Sequence, residues 1–170
     1  MTTLRALACL IVSGLLLQGC DSATDPPHLP RSFQATVSGD LTRQFDGEAT
    51  FDPDYGVDRV PALNLRLFGA SGLITFTSLS ITATPELGSY DMGSLGSAAD
   101  VLAILALCGG AEGCGPGQTY LSTGGTLTFT ETSKDRLEGI FDFTATNGAD
   151  SVHVVGDFDA AGENYDAGLR

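Results

Sequence analysis

From Ser32 onward apolar and polar residues alternate along the chain, the pattern of a strand with one face buried. Phe33, Ala35 and Val37 fall on one face and Gln34, Thr36 and Ser38 on the other, ahead of a turn at Gly39-Asp40. Leu41 to Phe45 and Glu48 to Phe51 flank Asp46-Gly47, where a glycine able to take positive φ predicts a tight hairpin. Leu63, Leu65 and Leu67 share a face before Gly69 to Gly72 turns the chain. Ile74 and Phe76 hold one parity while Leu79, Ile81 and Ala83 hold the other, which predicts a β-bulge or break near Thr77-Ser78.

The last third carries the clearest pattern. Leu127 and Phe129 alternate with threonines, Ser133-Lys134-Asp135 turns the chain, and Leu137, Gly139, Phe141, Phe143 and Ala145 line one face. Asn147-Gly148 is a strong hairpin signal, after which Val152, Val154, Gly156 and Phe158 continue the alternation. Three consecutive antiparallel strands follow from this. Each buried phenylalanine contributes about 2 to 3 kcal/mol, so a slip of one residue in register is strongly disfavoured. The whole pattern predicts an all-β fold, an antiparallel β-sandwich or barrel of roughly eight to ten strands.

Val101 to Cys108 breaks the alternation, being apolar at nearly every position. Its composition and the preceding Asp100 would suit a short helix, but its length and the bounding Gly109-Gly110 favour a central strand.

The N-terminus follows another logic. Arg5 supplies a positive start, Ala6 to Leu17 is almost uninterruptedly apolar, and Gly19 precedes Cys20. As a helix this stretch covers roughly 18 Å, short of the ~30 Å needed to cross a bilayer. Leu17-Gln18-Gly19-Cys20 resembles the lipobox of bacterial lipoproteins, with Gln18 departing mildly from the small or aliphatic residue preferred there. The resemblance implies a signal helix over 1–19, cleavage before Cys20, and acyl chains on the Cys20 sulfur. Two or three such chains hold a protein on a membrane essentially permanently. Residues 20–31, with Pro26, Pro27 and Pro30, then read as a lipidated cysteine and extended tether, and 32–170 as a single β domain. Asp21 stands where enterobacterial lipoproteins carry an inner-membrane retention signal; that rule varies between bacteria, and the choice of inner or outer membrane stays open.

Charge and cysteine content narrow the possible partners. A formal net charge of −13 repels nucleic acid and other anionic surfaces. Of four cysteines, Cys9 leaves with the signal and Cys20 carries lipid, so Cys108 and Cys114 are expected to form a disulfide in an oxidising envelope compartment. Asp52, Asp54 and Asp58 form the densest acidic cluster and could present three carboxylates to calcium. Val57 and Leu63 nevertheless stand where an EF-hand loop starting at Asp52 would need glycine and glutamate. A hairpin tip rich in turn formers explains the cluster equally well.

No serine sits in a Gly-x-Ser-x-Gly frame, and His153 alternates with Val152 and Val154 as an outward strand residue. A lipocalin-like barrel is a β-meander of this size that binds apolar ligands, but that family carries a Gly-x-Trp near its first strand and this chain has no tryptophan. Gly125 to Thr130 followed by Arg136 to Thr146 looks like the closing hairpin of small bacterial lipoproteins grouped as domains of unknown function. The expectation is a lipid-anchored envelope protein with a non-catalytic binding or structural domain. The alternative is a calcium-dependent binder or envelope enzyme using the acidic loop.

Overall fold

In every long strand the alternating apolar residues point to one side, and that side closes on itself. The structure, a computed structural model, describes residues 31–52, 63–78, 81, 85–107 and 118–162. It contains β1 (Ser32–Gly39), β2 (Arg43–Asp52), β3 (Leu63–Gly69), β4 (Gly72–Ser78), β5 (Gly88–Met92), β6 (Leu102–Leu107), β7 (Thr119–Thr132), β8 (Arg136–Thr146) and β9 (Ser151–Gly162). Eight of these form a closed antiparallel barrel in the order β1-β2-β3-β4-β6-β7-β8-β9, with β9 pairing back onto β1. Of the two architectures expected, the barrel is the one formed. The expected signal helix over 1–19 lies outside the described residues.

The ninth strand, β5, is an addition to the ring. On one edge β7 runs beside β8, while on the other Thr119 to Leu121 pair with β6 and Gly125 to Phe129 pair with β5. The change of partner coincides with a register shift between Ser122 and Gly124. Ser122, fully buried there, accepts a hydrogen bond from Ala103 N–H (3.0 Å) and donates to Gly93 O (2.6 Å). Its hydroxyl thus satisfies backbone groups that the divided ladder leaves over.

The lumen is packed with side chains. Eight of the nine phenylalanines are buried, and only Phe68, at 44% exposure, lies outside. Phe76 meets Phe141 at 5.3 Å and Phe143 at 5.9 Å across the barrel, and Phe129 meets Phe158 edge-on at 6.0 Å. Gly139 and Gly156 are the cross-strand partners of Phe158 and Phe141. A Cβ at Gly139 would come within 2.8 Å of the Phe158 ring, and one at Gly156 would collide with Phe141, so these glycines make room for the rings. An eight-stranded barrel is just wide enough for its own side chains or one small ligand, and here side chains occupy it.

Two expectations for local structure meet different outcomes. The central strand favoured over a helix for Val101 to Cys108 forms, with Leu102 to Leu107 lying between β4 and β7 and Cys108 outside the described residues. The hairpin expected at Asp46-Gly47 is absent: β2 runs unbroken through both residues, with Gly47 opposite Phe33 on β1 and Gly69 on β3. Glycine is required there because a Cβ would lie 2.7 Å from the carbonyl carbon of Phe68. Close approach of the neighbouring strand, rather than positive φ, explains the residue. The bulge expected near Thr77-Ser78 falls where β4 ends, and Leu79 lies outside the described residues.

Candidate functional site

With the lumen filled, the described surfaces available for contact are the outer face and the two ends of the barrel. The outer face over β2, β1, β9 and β8 is mostly polar, with Ile140 exposed among its acidic and hydroxyl side chains. Gln34 lies between Asp46 on β2 and Asp157 on β9, each its direct cross-strand partner. Two interstrand spacings separate these carboxylate-bearing residues by about 10 Å along the backbone. Thr36, Gln44 and Val155 complete an open groove of about 540 Å³ over β1. Its side chains offer amide, hydroxyl and carboxylate groups, suited to hydrogen bonding with a polar or cationic ligand. The lining contains no histidine or cysteine and no basic residue.

His153 stands beside this groove on the same outer face. Its Nε2 lies 2.6 Å from Asp142 Oδ1 on β8, and Ser38 on β1 is its direct cross-strand neighbour. Serine, histidine and aspartate therefore share three adjacent strands, an association that depends on register and that alternation alone did not reveal. The contacts differ from a catalytic relay, however. Ser38 Oγ donates to the backbone carbonyl of His153 at 3.5 Å, rather than to the ring. Without a base at its hydroxyl, Ser38 has no activated oxygen.

A second outer cluster fastens the start of β1 to β9. Arg136 donates from Nε and Nη2 to the two oxygens of Asp159, each at 3.0 Å, and from Nη1 to Glu131 at 3.0 Å. Hydrogen bonding to Asp159, with the charges of Asp159 and Glu131, holds the Arg136 pKa above its ordinary value. Arg31 Nη1 reaches Ala160 O at 3.3 Å and Asp159 Oδ1 at 3.6 Å, tying the start of β1 to the end of β9. This is cross-strand bracing among partly exposed charges.

At the β2–β3 end, Asp52 is only 5% exposed and lies opposite Asn64, also 5% exposed. Asn64 Oδ1 is buried and has no hydrogen-bond partner among the described residues. Asp54 and Asp58, the other two carboxylates of the expected metal site, lie outside the described residues, as do Cys20, Cys108 and Cys114. Among the described residues no three His, Cys, Asp or Glu side chains gather in a way that could hold a metal ion.

Two further concavities lie elsewhere. One, of about 510 Å³, is bounded by Thr77, Ser78 and the connection from β5 to β6, where Leu95 is 76% exposed. The other, of about 220 Å³, sits at the barrel end beside Leu41, Arg43, Leu107, Gln118 and Tyr120. Arg43 donates there to Ser71 O at 3.2 Å. No family model matches the chain, and no curated protein or solved structure matches it either.

Proposed function

We propose that the chain is a lipid-anchored protein of the bacterial cell envelope whose barrel is a non-catalytic binding or structural module working through its outer surface. The observation that carries the reading of the barrel is its packed lumen. A barrel that carried an apolar ligand inside would need several hundred Å³ of free volume, and the buried phenylalanines occupy that space. The groove over β1 offers a polar partner amide, hydroxyl and carboxylate groups from Gln34, Thr36, Gln44, Asp46 and Asp157. Anchoring rests on the lipobox-like run ending at Cys20, with Cys108 and Cys114 expected to pair as a disulfide in the same compartment.

Growth of an expressing bacterium with a radioactive fatty acid tests the anchor. Wild-type chain should carry label in the membrane fraction, and Cys20→Ser should carry none. An unlabelled wild-type chain that retains residues 1–19 would overturn the reading.

A calcium-dependent binder remains a second reading because of Asn64. Its unpartnered Oδ1 beside Asp52 is the kind of oxygen donor a hard cation takes, with Asp54 and Asp58 as the remaining carboxylates. A melting temperature unchanged in millimolar calcium would remove it.

A further inference from the structure

At one mouth of the barrel a strand turns a cation inward. Arg43 shares the lumen-facing positions of β2 with Phe45, Ala49 and Phe51, while Asp46 and Glu48 face out. Its cross-strand partner on β1 is Val37, which is fully buried inside. The acids of β8 and β9, Glu138, Asp142, Asp157 and Asp159, all take the outward positions between buried ones. Arg31, Lys134 and Arg136 each pair with a carboxylate. Arg43 pairs with none among the described residues, although acids outnumber bases 21 to 8 in the chain. Ser71 O takes one of its N–H groups at 3.2 Å and leaves the rest of the guanidinium fork uncommitted.

Arg43 opens onto the hollow of about 220 Å³ that Leu41, Leu107, Gln118 and Tyr120 also line. Tyr120 points inward from β7, opposite Leu105, and is only 5% exposed. Its hydroxyl nevertheless has no hydrogen-bond partner among the described residues, where a phenol buried so deeply ordinarily finds one. Gln118 adds an exposed amide, and Leu41 and Leu107 are apolar walls. Among the described residues the lining contains no carboxylate. We propose that this mouth binds a small monocarboxylic acid as its anion, with the carboxylate on Arg43 and Tyr120 and a short apolar body against Leu41 and Leu107.

Chemistry and size both select this class. A guanidinium presents parallel N–H groups that match the two oxygens of a carboxylate, and the Tyr120 hydroxyl supplies a further donor. A cavity of about 150 Å³ holds benzene, so this hollow takes a body of that size with a carboxylate added, about nine non-hydrogen atoms. The acidic exterior does not reverse the preference. Asp46 stands three residues from Arg43, about 10 Å along β2, and on the opposite face. Charges more than ~8 Å apart are largely screened at physiological ionic strength. Asp40, in the adjoining turn, is engaged with Ser151 N–H at 2.8 Å. The site is separate from the groove over β1 and needs no lipid anchor.

Titration of the full chain with para-fluorobenzoate, followed by broadening of the fluorine NMR line, tests the site. Broadening should saturate and be reversed by excess benzoate or hexanoate, but not by benzamide, which has the shape of benzoate without its charge. Arg43→Gln should weaken binding about tenfold or more, and Tyr120→Phe about threefold to tenfold. Lys134→Gln removes the same charge at an exposed turn and should leave binding unchanged. Circular-dichroism melts check that each variant is folded, and the benzamide comparison on the parent chain decides the matter if Arg43→Gln is not. Three results overturn the proposal: no saturable broadening by the parent chain, displacement by benzamide as effective as by benzoate, or equal affinities for Arg43→Gln and Lys134→Gln.

Discussion

An alanine at Gly47 would bring its Cβ to 2.7 Å from the carbonyl carbon of Phe68 and 2.8 Å from Gly69 Cα, and closer still to Phe68 O. Carbon atoms settle at about 3.5 to 4.0 Å, so β2 and β3 would have to part by roughly 1 Å. Gly47 is held on both sides, by Phe33 of β1 and Gly69 of β3, and a shift toward either neighbour strains the ladder. Two or three weakened ladder bonds at about 0.5 to 1.5 kcal/mol each, with the lost packing, amount to about 3 kcal/mol. With an unfolding entropy of about 2.1 cal/mol/K per residue, a domain of this length loses roughly 3 to 4 °C per kcal/mol, giving a fall in Tm of about 10 °C. Gly124→Ala is the internal control. A Cβ there meets nothing within 4 Å and the glycine does not take positive φ, so the change should lie between neutral and about 1 kcal/mol stabilising. Circular-dichroism melting of both variants decides the matter. Equal melting temperatures would refute the continuous-strand register of β2 and restore a turn at Asp46-Gly47.

Phe76→Ala removes the ring that meets Phe141 and Phe143 and should cost about 3 to 5 kcal/mol in urea denaturation, with a loss under 1 kcal/mol arguing that the lumen is loosely filled. Ser122→Ala leaves Ala103 N–H and Gly93 O without their shared hydroxyl. It should lower stability by about 1 to 3 kcal/mol and speed amide exchange at Ala103; unchanged exchange there would refute the bridging role.

Strands with one wet and one dry face were legible because alternation records burial directly. Phe33, Ala35 and Val37, then Leu63, Leu65 and Leu67, and the apolar side chains Leu137, Phe141, Phe143, Ala145, Val152, Val154 and Phe158 all lie inside as their spacing predicts. The turns at Gly39-Asp40, Gly69 to Gly72, Ser133 to Asp135 and Asn147-Gly148 also fall between strands. At the last of these, Asn147 Oδ1 accepts from Ala149 N–H and Asp150 N–H, and Gly148 takes φ of 93°. What alternation could not distinguish was a glycine needed for a turn from one needed for space, hence the misplaced hairpin at Gly47. β5 gave no signal, since its residues are mostly exposed and it is placed by β7 rather than by its own pattern. The middle of β7 gave no alternation because Gly124 and Gly125, without side chains, sit within the strand. The site was less legible than the fold. The groove over β1 and the pairing of His153 with Asp142 join residues from strands distant in sequence, and only the register brings them together.

The seam between β1 and β9 sets a condition on how the molecule is made. Phe33 finds its neighbour Phe158 only after every intervening strand has been synthesised, so no earlier moment on the ribosome allows the ring to shut. Until then both open edges can recruit another chain, and pairings of such long sequence separation form slowly, on the ms to s scale. A nascent copy halted anywhere before Ser151 would therefore be an unfinished ribbon with a sticky hem, in need of a chaperone or a rapid exit from the crowd.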